Sequence, residues 1–262
     1  MSAKICRRLL APVVLLALWE ILPRFKIIDP ILLPPVSQVL LRGKELFVKG
    51  FIFAYVWESV WRVLLGFSIA FTVAIPAGIL LGLMPSLEEY FDMLIHLLRP
   101  LAPPAWIPLA ILWFGIGNAP AVFIIFIGTV FAMLVGTLSA TKAVDKRLIK
   151  AGLTLGATPS QAIFHIVLPY LAPAILAQMR IGLGLAWMCV IAAEMVAVRG
   201  GIGFMMIEAR NLFRTEDILL GMMIVGTLGL GLDVLLRLLE RRILKWRKGL
   251  EAYEFFETAR GL

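Results

Sequence analysis

An all-α, polytopic membrane fold of about six transmembrane helices is predicted by three features of the sequence. These are its apolar composition, its apolar runs of roughly 20 residues and the placement of its basic residues. Of 262 residues, 61% are hydrophobic and 16% charged, with a mean hydropathy of +0.96. Soluble domains carry about 25% charged residues, so this composition places the chain in a bilayer. The predicted spans leave no length for a large soluble domain, and residues 1–262 are expected to form a single transmembrane domain.

The first apolar run, Leu9 to Leu22, is short, contains Glu20 and follows Lys4, Arg7 and Arg8 as the core of a signal peptide would. No small-x-small cleavage site follows it, and it is read as a retained anchor. Residues 24–55 form a connector in which "IIDPILLPPVSQVLLRGKELFVKG" mixes prolines with an apolar pattern too short to cross a bilayer. A short interfacial amphipathic helix is expected there, around Val36 to Phe47.

The second span, Val63 to Leu83, is preceded by Trp57 and Trp61, suited to the headgroup level. Near its end Gly78 and Gly82 stand four apart, a spacing that lets a neighbouring helix approach closely. The third run, Met93 to Trp113, contains Pro100, Pro103, Pro104 and Pro108, too many prolines for one regular helix. Broken backbone at membrane depth survives only where it is buried in protein or lines a cavity. Pathway element and kinked structural helix both fit this segment, and Pro104 and Trp113 are its pathway candidates. Ala119 to Leu138, Pro173 to Val198 and Ile218 to Leu239 complete the set.

Lys and Arg gather on the cytoplasmic side of membrane proteins. With six spans, fourteen of them fall on one face: at the N-terminus, in the loop holding Lys142, Lys146, Arg147 and Lys150, and in the tail from Arg237 to Arg260. Nine fall on the other, counting Arg62. The excess predicts cytoplasmic N- and C-termini. The net charge of +8 is then topology and contact with anionic lipid, and nothing resembles a nucleic-acid module. Cys6 and Cys189 are the only cysteines, on different segments, and make neither an expected disulfide nor a metal site.

The loop at about residues 144–169 contains "KAGLTLGATPSQAIFHIVLP". Asp145 is suited to cap a helix from Lys146 to about Leu155, and Gly156 to the left-handed residue that ends it. Thr158, Pro159 and Gln161 form a T-x-x-Q capping box with proline at the first helical position. A second short helix is expected to reach about Leu168, with Pro169 introducing the next span. Leu148, Ala151, Gly152 and Leu155 share one face of the first helix, and Ile163, Ile166 and Val167 cluster on the second.

This loop resembles the cytoplasmic loop of ABC importer permeases, which has the form E-A-A, three residues, Gly, nine residues, then I-x-L-P. Ala151, Gly156, Ile166, Leu168 and Pro169 match it, while Lys150 replaces the Glu and Gly152 the second Ala. "SVWRVLLGF", "WIPLAILWFGIGN", "RIGLGLAWMCVIAAEMVA" and "GGIGFMMIEARNLF" are similar to segments of the branch importing nitrate, bicarbonate, taurine and aliphatic sulfonates.

The resemblance implies a type I ABC importer permease-like fold in a bacterial cytoplasmic (inner) membrane. It also implies a pathway shared with a second permease copy, ABC ATPase subunits that take up the loop, and a periplasmic or lipoprotein solute-binding protein. Ala151, Gly152, Gly156, Ala157, Ile166, Leu168 and Pro169 would then couple to the ATPase. The chain has no G-x-x-x-x-G-K-[ST] phosphate loop. No cofactor is expected in this chain, with ATP and Mg bound by the partner.

Ionisable groups inside spans are costly and are functional candidates by default. Glu194, in "VIAAEMVA", is the deepest, and pairing to a neighbouring helix, a pathway role and an outer-interface position all remain open. Arg180 can either meet an anion or extend to the interface. Trp187 and Met188 face either the pathway or a packing neighbour. His96 and His165 have no second histidine at ligand spacing. An ion-coupled carrier would carry several acidic groups at the midplane, and a membrane enzyme a nucleophile or metal cluster. Neither pattern is present, and an ABC permease, for a small anion or for another small organic solute, is the expected function.

Overall fold

Helices account for every regular element in a computed structural model that describes residues 2–244, with side chains from residue 13 onward. In chain order they are α1 (Ser2–Arg24), α2 (Val36–Val48), α3 (Phe51–Leu83), α4 (Pro85–Leu98), a 3-10 turn (Pro103–Trp106), α5 (Ile107–Phe114) and α6 (Asn118–Lys142). Then follow α7 (Lys146–Thr154), α8 (Pro159–Ala162), a π turn (Ile163–Val167), α9 (Leu168–Ala197), α10 (Ile202–Asn211) and α11 (Thr215–Ile243).

Four of the described helical stretches are long and apolar enough to cross a bilayer: α3, α6, the continuous stretch Pro159–Ala197, and α11. The proline-rich run does not continue as one rod. Pro85–Leu98 and Pro103–Phe114 meet at 87°, giving a fifth crossing if the pair is one broken span. Pro103 and Pro104 supply no N–H to carry α4's ladder onward. Six crossings thus require α1, and the first four residues of the predicted run Leu9–Leu22 lie among those whose side chains are outside the described set. The basic tail residues Lys245, Arg247, Lys248 and Arg260 also lie outside it.

Lipid tails are as apolar as leucine, so helices in a bilayer associate through close packing and polar contacts. On α3 a small residue recurs every four positions, Gly66, Ala70, Ala74, Gly78 and Gly82, facing α6. A Cβ at Gly78 would stand 2.7 Å from Thr137 Cβ and 2.9 Å from the Leu134 carbonyl oxygen. One at Gly66 would stand 2.7 Å from Ile125 Cβ. The expected close approach at Gly78 and Gly82 is therefore one end of a stripe running along the second half of α3.

α6 repeats the device on its other side. Gly128 lies against Cys189, and Gly136 against the Gln178 amide, while Gly182 of α9 receives Met133. The core consequently sits among α3, α6 and α9, where Ala70, Ala74, Ile124, Met133, Ala186 and Val190 are buried.

α11 is peripheral, with only Asp217, Leu220, Gly221 and Leu236 buried. Arg42 on α2 ties its start to the connector, its Nε donating to Asp217 Oδ1 at 2.8 Å. That hydrogen bond raises the Arg42 pKa further above its ordinary value. The connector also holds α1: Trp19 Nε1 donates to the Pro34 carbonyl at 3.0 Å, and the Ser37 amide to Glu20 at 3.0 Å.

Gly78→Leu should force α3 and α6 apart, at a cost of about 1–3 kcal/mol or more. Thermal unfolding of the detergent-purified protein should show a clear fall in Tm. Gly226→Ala on α11, where an added Cβ meets nothing within 4 Å, should leave Tm unchanged or slightly raised.

Candidate functional site

The loop between α6 and α9 is built as two capped turns. Asp145 accepts from the Arg147 amide at 2.8 Å and starts α7. α7 ends in a Schellman arrangement: the Ala157 amide donates to the Gly152 carbonyl at 3.1 Å and the Gly156 amide to the Leu153 carbonyl at 3.0 Å. Gly156 has φ +90°, the left-handed region that favours glycine. Thr158 then opens α8 with both halves of the capping box, its Oγ1 accepting from the Gln161 amide at 3.3 Å and its own amide donating to Gln161 Oε1 at 2.9 Å.

The second expected short helix is not separate. α8 runs through the π turn into α9 as one stretch of 39 residues, Pro159–Ala197. The widened turn precedes Pro169, which has no N–H and whose ring would press on the His165 carbonyl of a regular α-helix.

The loop is fastened at its base. Val144, Val167 and Leu171 pack with Ile75 and Ile79 of α3, with Ile149 and Leu168 partly buried against them. Half-buried Ile166 fills the space that a Cβ at Gly152 would take, so this glycine lets α7 lie against the π turn. Ala157 is half-buried, while Ala151, Gly156 and Pro169 are exposed. Leu155 is 90% exposed and Phe164 63%, so apolar side chains stand outward beside these residues.

At the opposite end of the bundle lies a buried ionic network. Glu194 is fully buried and Arg62 is 3% exposed. Arg62 Nη1 donates to Glu194 Oε1 at 2.7 Å and to the Gly200 carbonyl at 3.0 Å. Its Nε donates to Asn118 Oδ1 at 2.8 Å and its Nη2 to Glu58 Oε2 at 3.0 Å. The other Glu194 oxygen accepts from Ser59 Oγ at 2.8 Å and from the Gly203 amide at 2.9 Å. Ser59 Oγ in turn accepts from the Ile202 amide at 2.9 Å.

The first turn of α10 is thereby capped by side chains from two other helices, which satisfies its otherwise orphan amides. Gly201, with φ +97°, has no room for a Cβ because the Glu194 carboxylate occupies it. Of the roles open for Glu194, this geometry is that of pairing to neighbouring helices. Its partner Arg62 was legible as an i, i+4 mate of Glu58 in "WESVWR", but not as the partner of Glu194, 132 positions away.

The remaining pathway candidates do not converge. Arg180 pairs with Glu240 and lies 3.4 Å from Asp233, joining α9 to α11, and Arg237 also holds Asp233 at 2.7 Å. Trp187 is buried in the core, and Met188 beside it is 72% exposed. Trp113 packs edge-on against Phe123 with ring centroids 5.8 Å apart, and Pro104 is exposed. None of these lines the cavity of about 440 Å³ that opens beside the helix break.

A bundle cored by close-packed spans, with a broken span beside a cavity and a fastened loop at one end, defines a membrane-embedded transport subunit. The sequence profile of the family described as binding-protein-dependent transport system inner membrane component matches residues 74–245, and the chain belongs to that family.

Among relatives, a protein of Methanocaldococcus jannaschii named provisionally as an ABC transporter permease is 45% identical over 60% of this chain and 59% of its own length. The taurine transport system permease protein of Escherichia coli is 33% identical over 89% of this chain and 86% of its own. An aliphatic sulfonates transport permease protein of Bacillus subtilis, also provisionally named, is 32% identical over 93% and 88% respectively. In fold, the chain is similar to one from the inward-facing MetNI methionine ABC transporter, with a TM-score of 0.63 at 18% identity, covering 81% of this chain and 97% of that one. The protein is thus a multi-pass ABC transporter permease.

Removing one member of a buried ion pair costs about 3–5 kcal/mol, because its partner is left uncompensated. Arg62→Met should therefore lower thermal stability strongly, and Arg62→Met with Glu194→Leu should lower it less than Arg62→Met alone. Tm of the purified variants measures both.

Proposed function

We propose that this chain is the pathway-forming subunit of an ATP-driven importer for a small anion. Its force comes from a separate ATPase docked on the loop around residues 150–169. The single observation behind the coupling reading is that loop's build, two capped turns fixed at their base yet presenting Leu155 and Phe164 outward. Apolar side chains held out on a rigid frame suit a protein cleft better than water.

In this reading Ala151, Gly152, Gly156, Ala157, Ile166, Leu168 and Pro169 set the shape offered to the ATPase. ATP and Mg belong to that partner. A second copy of this chain completes the pathway, and an external solute-binding protein delivers cargo. The whole chain acts as one transmembrane domain, in a bacterial inner membrane with both termini in the cytoplasm. The excess of basic residues at the loop end supports this orientation. The taurine and aliphatic sulfonate permeases among its relatives support an anionic cargo of the sulfonate class.

Gly156→Val places a β-branched residue at a positive φ and should break the turn between α7 and α8. Co-purification with the ATPase should fall, and cargo-stimulated ATP hydrolysis with it. Unchanged assembly and hydrolysis would count against the loop, and uphill uptake by this chain without any ATPase would overturn the reading as a whole. Thr158→Ala should act in the same direction but more weakly, through loss of a cap worth about 1 kcal/mol.

A further inference from the structure

Once basic residues are assigned to the two faces, only Arg99 and Arg180 of the 25 Lys and Arg remain. Arg180 is neutralised by Asp233 and Glu240, and the buried Arg62 by Glu194 and Glu58. Arg99 is exposed and has no carboxylate within 4.0 Å among the described residues, which leaves its guanidinium free to meet an anion.

Arg99 sits where the backbone breaks, directly after α4 and before the 3-10 turn. There it lines the cavity of about 440 Å³ with Pro103 and with α6 and α9. Gly128 and Gly136 of α6 border this space, roughly 15 and 27 Å along a helix that rises about 1.5 Å per residue. The cavity therefore reaches from the middle of the bundle toward the loop end. Gln178 contributes a side-chain amide lying across Gly136, and Ile127, Phe131 and Ile181 contribute apolar wall.

An arginine without a carboxylate partner, an amide and an apolar wall in one cavity match a molecule with an oxyanion head and a short alkyl body. We propose that this cavity is a transit site for a small alkylsulfonate, with Arg99 holding the sulfonate by charge-assisted hydrogen bonds and Gln178 donating a further one. In this proposal Arg99 is a binding residue, and the cargo supplies the anion that carboxylates supply to Arg62 and Arg180. The proposal rests on the reading of the chain as an anion conductor.

The test uses the full chain assembled with its ATPase, in a background carrying Cys6→Ser and Cys189→Ala, with Gln178→Cys or, separately, Ile181→Cys. Each variant is treated with the 2-sulfonatoethyl and the 2-trimethylammonioethyl methanethiosulfonates, and rates are corrected for those with a free small thiol. The anionic reagent should react faster by about tenfold or more, the scale of electrostatic focusing in a charged cleft. Adding Arg99→Gln should bring the ratio close to one, and millimolar ethanesulfonate should slow the anionic reagent only when Arg99 is present.

No reaction at either cysteine, or a ratio near one with Arg99 in place, overturns the site. ATP-driven sulfonate uptake alongside a ratio near one would sink the site but leave the importer reading standing. A high, Arg99-dependent ratio slowed by ethanesulfonate in a chain that moves no sulfonate would do the reverse.

Discussion

Everything else in this fold depends on how closely α3 and α6 approach. In a bilayer no solvent drives these helices together, and their cohesion comes from backbone-level packing over a stripe of small residues. Gly66, Ala70, Ala74, Gly78 and Gly82 set that distance, and α9 then completes the core against the opposite side of α6. The loop core stands on the end of α3 through Ile75 and Ile79, and the Arg62 network stands on its beginning. A single helix interface thus fixes the relative position of the loop and the buried ions.

The ionic network adds registration to that packing. Arg62 reaches Glu194 of α9, the Gly200 carbonyl and Asn118 of α6, so one side chain touches three separate stretches of chain. Buried ion pairs are weak sources of stability because of their desolvation cost. Their geometry is demanding, however, and here it holds the start of α10 against α3 and α9. Gly200, Gly201 and Gly203 are what let this turn come so near the carboxylates.

The loop was the most legible part of the sequence, because caps and left-handed glycines are local: Asp145, Gly156 and the Thr158–Gln161 box all act within a few residues of themselves. Gly78 and Gly82 were legible too, since a four-residue spacing is a helix-face signal. What stayed hidden was pairing across the chain. Arg62 was counted as one more charge on an outer loop, since nothing near it in sequence names Glu194. The break near Arg99 was signalled by its prolines, but the angle and the cavity beside it depend on α6 and α9. The continuity of α8 into α9 was missed because Pro169 reads as a boundary, whereas a π turn absorbs it.

That continuity has a mechanical consequence. Pro159–Ala197 is 39 residues of continuous helical backbone, about 58 Å at 1.5 Å per residue, with the loop at one tip and Glu194 near the other. It is a lever arm. A tilt of about 5° at its base sweeps the far tip through roughly 5 Å over that length, more than the span of any single hydrogen bond in the Arg62 network. The loop end and the Glu194 end of the bundle are therefore joined by one continuous element, so any displacement of that element bears on both.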